Sequence, residues 1–296
     1  MKKTKLHDKV TRKIFHRIHK EQIISKTGFK KVKNLLTCEN LKLRKDYFKN
    51  KICGDFGCGS TGAGAFNLLE LGAKHVHLMD LNKHIKNPIN KNLIKYKNKY
   101  QIDVGSIENT PYEKNYFDFI LCQGVIHCAD NDIKGLREIY RNLKKGGKFH
   151  MMVMGEGGLV TKFLIEIMRP QFKTNPIIKN FLTKIMTGNV QTYENYLKKK
   201  LDKESIKIIK FIKKYFDHDL LLTIQDRLMS PKYKTYNEKE LKTILKKIGF
   251  KNIYRIKKEV KFKNIRRLLT PFYYDYEHQI SRALYGEGSI SLVMTK

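Results

Sequence analysis

Short apolar runs alternate with segments of helical periodicity through the first half of the chain. Lys51-Ile52-Cys53-Gly54-Asp55-Phe56 reads as a buried strand, and Lys74-His75-Val76-His77-Leu78-Met79 as a second one ending in Asp80. Between them, Ala65–Leu71 has the pattern of a helix closed by Gly72. Asn90–Asn98 reads as a further helix, with Pro88 near its start, and Gln101–Val104 as a third short strand. A fourth strand ends at Gln123. The helix after it, from about Asp132, places Ile133, Leu136, Tyr140 and Leu143 on one face, with Asp130 or Asn131 as its cap. His150–Met154 is the fifth strand, and its methionines suit core filling.

The pattern then changes. From Gly155 to about Tyr236 the chain offers helical pieces at Thr161–Met168, Pro176–Thr187, Tyr193–Leu201, Glu204–Phe216 and Leu220–Met229, with breaks at Pro170, Gly188 and Pro231. An open α/β sheet needs one helix between its fifth and sixth strands, so most of this segment is an insertion. It leaves from the carboxyl edge of the sheet, where ligands bind in such folds. A lid over the site and an oligomer interface are the two readings of it. Asn237 then caps a helix with Glu240 in capping-box register, an apolar stripe at Leu241, Ile244, Leu245 and Ile248, and Gly249 as its stop. Lys251–Ile256 reads as strand six, residues 262–285 as an aromatic-rich segment, and Gly288–Met294 as a last strand. The divisions are therefore a basic arm over 1–46, a core over 47–154, the insertion over 155–236 and the rest of the core over 237–296.

Composition adds one feature. The 296 residues carry a formal net charge of +33, with 61 Lys and Arg against 28 Asp and Glu. Of the 61, 50 are Lys, and the chain has 20 Asn and only 5 Ala. This skew is what an AT-rich coding sequence produces, whereas a dedicated phosphate reader favours the Arg fork. The other reading of the charge is a polyanion partner; specific nucleic-acid binding is not expected. Residues 1–33 hold 12 Lys or Arg and 2 acids, with Val10, Ile14 and Ile18 at helical spacing and Phe15 beside them. Such a helix can lie on a membrane surface as a peripheral contact, or dock on the core and shield the mouth of the site. No run of 18 apolar residues is present, and the basic N-terminus lacks an apolar stretch after it. Five cysteines at no metal spacing suit free thiols in a reducing cytoplasm, with no metal site.

Chemistry concentrates at Asp55-Phe56-Gly57-Cys58-Gly59-Ser60-Thr61-Gly62-Ala63-Gly64, a glycine-rich turn between a strand and a helix. Glycines there let a ligand lie against main chain, and an acid at the tip of the next strand, Asp80, suits a ribose diol. The wording D-x-G-C-G-S-T-G resembles motif I of the class I S-adenosylmethionine (AdoMet) methyltransferases. Tyr116-Phe117-Asp118-Phe119-Ile120-Leu121-Cys122-Gln123-Gly124-Val125-Ile126-His127-Cys128 resembles that family's fourth strand and the loop after it. Leu136–Phe149, with its Gly146-Gly147 turn, resembles the helix and fifth strand that follow. The resemblance covers roughly residues 47–154 and lies nearest the broad group containing quinone-biosynthesis C-methyltransferases.

The resemblance implies a Rossmann-like, doubly wound, seven-stranded α/β sheet with an antiparallel last strand and a helical insertion after strand five. It implies AdoMet as cofactor, held by Asp55, Gly57, Cys58, Gly59, Thr61, Gly62, Asp80, Ser106, Ile107, Gln123 and Gly124. Thr61 shifts the third glycine by one place, so Gly62 and Gly64 compete for its role. Ser106 stands where relatives carry an acid. His127, after strand four, is the candidate base for an acceptor that carries a proton, or else a hydrogen-bonded loop histidine. Arg227, Tyr233 and Tyr236 are candidates to orient the acceptor. A small-molecule or lipid-like acceptor is the expected substrate; RNA or protein methylation, using the basic surface, and a catalytically silent AdoMet-binding protein are the alternatives.

Overall fold

The computed structural model describes residues 2–25, 36–180, 202–208, 218–256 and 276–296. Seven strands form one sheet: β1 (Ile52–Phe56), β2 (His75–Asp80), β3 (Tyr100–Val104), β4 (Phe117–Gln123), β5 (Leu143–Met154), β6 (Lys251–Arg255) and β7 (Ser289–Thr295). Their order is β3-β2-β1-β4-β5-β7-β6, with β7 antiparallel to both neighbours. This is the doubly wound sheet that the sequence resemblance implies. Alternate residues of each strand point to opposite faces. Ile120 and Cys122 thus join one core with Leu136, Ile139, Leu241 and Leu245, while Phe119 and Leu121 join the other with Phe48, Leu68, Ile85 and Ile89.

The helices whose bounds lie wholly among the described residues are α1 (Lys2–Ser25), α2 (Ala63–Glu70), α3 (Lys86–Asn92), α4 (Asp132–Asn142), α5 (Leu159–Lys162), α6 (Arg169–Thr174), α7 (His218–Met229), α8 (Glu238–Ile248) and α9 (Gln279–Tyr285). Two predicted caps form: Asn131 Oδ1 accepts from Lys134 N at 2.9 Å, and Asn237 Oδ1 accepts from Lys239 N and Glu240 N at 3.0 and 3.3 Å. Gly249 closes α8 at φ 119°.

Several local expectations are corrected. The helix predicted at Asn90–Asn98 is α3, four residues earlier, with Pro88 in its first turn, followed by a 3₁₀ turn at Ile94–Tyr96. The segment before β1 belongs to the core, because Leu36, Leu41 and Phe48 are buried in it. The Gly146-Gly147 turn is absorbed into β5, whose register against β4 shifts between Phe117 and Phe119. His150 is therefore mid-strand and fully buried, its Nε2 3.0 Å from Ser291 Oγ. Pro170 does not break its helix. The π-helical stretch Phe163–Met168 joins α5 to α6, and the proline sits in the first turn of α6, where its missing N–H is tolerated. Tyr193–Leu201, most of Pro176–Thr187 and most of Glu204–Phe216 lie outside the described residues; 176–180 and 203–208 are helical.

The ends of the inserted segment are held together. Tyr236 N donates to Met154 O at 3.0 Å and Glu156 N to Tyr236 O at 2.9 Å, so the chain returns to the point it left. Within the segment, buried Arg169 donates to the carbonyls of Arg227, Leu228, Ser230 and Pro231. These are carbonyls at and beyond the end of α7 that have no intrahelical partner, and a cation suits the negative end of the helix dipole. Phe172 and Leu228 pack together beside them. Arg169→Met is expected to cost about 2–3 kcal/mol of unfolding free energy, because several carbonyls lose a charged donor at once. Urea denaturation measures it, and hydrogen exchange should locate the loosening at 223–230 and leave β1 and β4 unchanged.

Candidate functional site

The carboxyl ends of β1, β2 and β4 open into a cavity of about 380 Å³. Its floor is the glycine turn. Gly57 N donates to Met79 O at 2.7 Å, fastening the turn to β2. Gly57 has φ 73°, and a Cβ there would stand 2.0 Å from Val125 Cγ2, so only glycine lets the loop after β4 approach. Gly59, at φ 63°, has no such neighbour: a Cβ would meet only His19 Nε2, at 3.7 Å, leaving its backbone open to the cavity. The competition for the third glycine's role is divided. Gly62 takes the left-handed conformation, φ 62°, before α2, whereas Gly64 is needed for closeness, since a Cβ there would lie 2.6 Å from Asp55 Oδ2.

Asp80 sits at the centre of the floor. Its Oδ2 accepts from Gly59 N at 3.1 Å and its Oδ1 from Asn82 N at 2.9 Å, which fixes the carboxylate at the tip of β2. Ser106, Ile107, Gln123 and Gly124 line the walls, as do Cys58, Ser60 and Thr61. Gln123 Nε2 lies 3.5 Å from His150 Nδ1, so the buried histidine backs a residue of the wall. Ser60 Oγ is buried and makes no hydrogen bond among the described residues, leaving a polar atom that a ligand would satisfy. Glu108, two places beyond Ser106, supplies an acid to this wall, and its Oε1 accepts from Asp130 N at 2.8 Å. Glu108 is not among the residues that the resemblance implies, which are Ser106 and Ile107 here; the acid next to them in sequence was the available signal.

Two expected cofactor residues stand behind the floor and do not line the cavity. One is Gly62. The other is Asp55, whose Oδ2 accepts from Ala65 N at 3.0 Å. Burial pushes the Asp55 carboxyl up to about 7, against the lowering effect of that N–H; the nearby Asp80 raises it further.

The roof comes from outside the motif. α1 contributes His7, Asp8, Thr11, Arg12, Phe15, Ile18 and His19, and α7 contributes Thr223 and Asp226. α1 docks through this mixed stripe, with Ile18 and His19 buried and His19 Nδ1 3.2 Å from Asn82 Nδ2. Val10, predicted on its apolar face, is 41% exposed, as the inward stripe is set by His7, Thr11 and Ile18. Among the described residues no helix is long and apolar enough to cross a membrane, no group of three or more His, Cys, Asp or Glu could hold a metal, and all five cysteines are free.

The candidate base is corrected. His127 is buried outside the cavity lining, its ring edge-on to Tyr233 with centroids 4.9 Å apart. Burial and, less strongly, Arg227 lower its imidazole to about 3, which makes it a poor proton acceptor. The candidate acceptor residues are displaced likewise. Tyr233 packs on His127 and Arg169, and Tyr236 donates to Asp132 Oδ2 at 2.8 Å. Arg227 faces away from the cavity lining, because α7 turns its Thr223–Asp226 face inward.

Comparison with known proteins agrees with the fold. A family profile described as a methyltransferase domain matches residues 54–151. A tRNA U34 carboxymethyltransferase of Campylobacter fetus is 29% identical over 108 residues, which span 36% of this chain and 37% of that protein. Among solved structures, the complex of the Haloferax volcanii Trm112 methyltransferase activator with a methyltransferase gives a TM-score of 0.52 at 12% identity, covering 96% of each chain. An S-adenosylmethionine-dependent methyltransferase of Mesorhizobium loti gives 0.50 at 11% identity, covering 87% of this chain and 96% of its own.

AdoMet fits the site: the open backbone at Gly59 and the fixed Asp80 carboxylate line a space in the ordinary range for cofactor pockets, about 300–1,000 Å³. Asp80→Ala should weaken binding of S-adenosylhomocysteine by about 1.5–3 kcal/mol in calorimetry, the range for a hydrogen bond to a charged group. Asp55→Asn tests the floor separately. The folded-state carboxyl is raised, so wild-type stability includes a burial penalty that grows as pH rises from the ordinary carboxylate range towards 7. Asn lacks that penalty. The variant should match the wild type near pH 4 and melt at a higher temperature near pH 8, read from paired thermal scans.

Proposed function

We propose that this chain, whose residues 54–151 match a methyltransferase domain, is a class I AdoMet-dependent methyltransferase that methylates a small organic acceptor held beneath α1 and α7. When bound, AdoMet supplies an electrophilic methyl on its sulfonium centre, already activated for direct in-line transfer. The protein's own residues have the simpler tasks of holding, orienting and drying the reactants. Gly59 and Ser60 would hold the methionine end, Asp80 the ribose hydroxyls, and Ser106 with Ile107 the adenine. Gln123 and Gly124 would close the pocket on the side of β4.

One observation carries the acceptor class. In a chain with 50 lysines, none of the described residues that line the cavity is a lysine; the charged groups among them are Asp8, Asp80, Glu108 and Asp226 against Arg12. A wall of this sign repels a phosphate backbone and suits a small, non-anionic molecule. The basic surface lies elsewhere, as with exposed Lys9 and Lys13 on the outer side of α1. A second reading, RNA methylation, draws on the name of the Campylobacter fetus relative and on the net charge. Tritiated-methyl transfer into fractionated cell extract separates them: label is expected in the small-molecule fraction, and label in RNA would overturn the proposal. Any RNA binding should be insensitive to sequence and fall steeply with salt, because counterion release drives it.

The roof has its own test. Ile18→Asp places a charge at a position that is 3% exposed and should lift α1 from the core. Methyl transfer is expected to fall at least tenfold. Hydrogen exchange over 6–19 should accelerate while β1 and β4 keep their protection; unchanged transfer with a lifted helix would remove α1 from the site.

A further inference from the structure

Two polar side chains of the roof each carry an atom with no hydrogen-bond partner among the described residues. Asp226 on α7 and Thr11 on α1 both line the cavity, and Asp226 Oδ1 and Thr11 Oγ1 are shut off from solvent without a hydrogen bond among the described residues. Thr11 is 6% exposed. An unsatisfied buried polar atom costs about 1–3 kcal/mol, and a charged one more. A cavity that keeps two such groups is built for a ligand that meets them.

Their place in the cavity indicates which ligand. The charged and polar neighbours of Asp226 are Arg227, Arg169, Cys128 and Tyr233, all beyond the end of β4 or on the insertion. Asp80 and the glycine turn, which suit the cofactor, lie at the ends of β2 and β1. Asp226 therefore belongs to the acceptor half. Of the four lining carboxylates, Asp80 and Glu108 are already engaged by backbone N–H groups. Asp8 and Asp226 remain for a ligand. Burial raises the Asp226 carboxyl to about 6, opposed by Arg227 and Arg169, so it is mainly ionised at neutral pH.

We infer that the acceptor is a basic amine, whose N–H groups are received by the Asp226 carboxylate and the Thr11 hydroxyl on the helix packed against it. A carboxylate or phosphate ligand would meet like charge at Oδ1 and an alcohol would bring no charge to it, whereas Arg227 and Arg169 act on the carboxylate without a hydrogen bond to that oxygen. The inference rests on the proposed small-molecule methyltransferase reading and adds the chemical class of the substrate.

The test uses the full chain saturated with S-adenosylhomocysteine and three probes of similar shape: phenethylamine, phenethyl alcohol and phenylpropionate. Calorimetry should show the amine binding at least tenfold tighter than either of the others. Asp226→Asn should weaken the amine at least tenfold and leave S-adenosylhomocysteine affinity within twofold, with Thr11→Val weakening the amine by a smaller factor. Equal binding of the alcohol or the carboxylate, no binding of the amine, or an unchanged amine affinity in a folded Asp226→Asn protein would each overturn the amine assignment. If Asp226→Asn does not fold, the ranking of the three probes on the wild type decides alone. Failure of the wild type to bind S-adenosylhomocysteine would overturn the underlying methyltransferase reading instead, and is seen before any probe is added.

Discussion

The site depends on how closely the loop after β4 can approach the end of β1. Val125 reaches the backbone at Gly57 to within a distance that no side chain there would allow, and the same glycine donates its N–H to Met79 at the end of β2. Three strand ends are thereby fixed around one residue. The parallel register carries this order outward: Phe56 pairs with Met79, which brings Asp80 level with the glycine turn, and Gly59 N–H secures the Asp80 carboxylate. A backbone donor costs no side-chain entropy to position, so the floor is preorganised by main chain.

Charge is sorted by solvation. Lys side chains reach water at little cost, and among the described residues most of them are exposed, where solvent screens them. The cavity keeps carboxylates, two held by main-chain donors and two facing space. In that low-dielectric setting, a few acids outweigh many distant surface lysines in deciding which ligand is tolerated. Net charge is for this reason a poor guide to the acceptor.

The roof joins segments far apart in sequence. α1 lies before the sheet and α7 near the end of the insertion, yet they pack together over the same opening. Each is tied down by a polar contact of modest reach: His19 to Asn82 beside Asp80, and Arg169 to the carbonyls that end α7. The two ties connect the roof to the cofactor floor on one side and to the inserted segment on the other, so acceptor and cofactor space share a boundary.

The strand and helix order from Lys51 to Met154, the turn at Gly57–Gly64, Asp80 and the caps at Asn131 and Asn237 were all legible in the sequence. Each follows from short-range rules: apolar period, glycine conformation, and a side chain reaching its own backbone two or three residues on. The positions that misled were those judged by neighbourhood in sequence. His127 follows strand four, but its ring turns into the protein against Tyr233; Arg227 adjoins Asp226, but a helix rotates successive residues about 100° apart, and only Asp226 faces the cavity. Pro170 reads as a break until the π-helical stretch before it absorbs the missing donor. The sequence by itself determined the sheet and the cofactor floor, because those depend on local backbone chemistry. Only tertiary structure decided the roof, since which face of α1 or α7 turns inward is set by packing between segments some 200 residues apart, and periodicity carries no information about that partner.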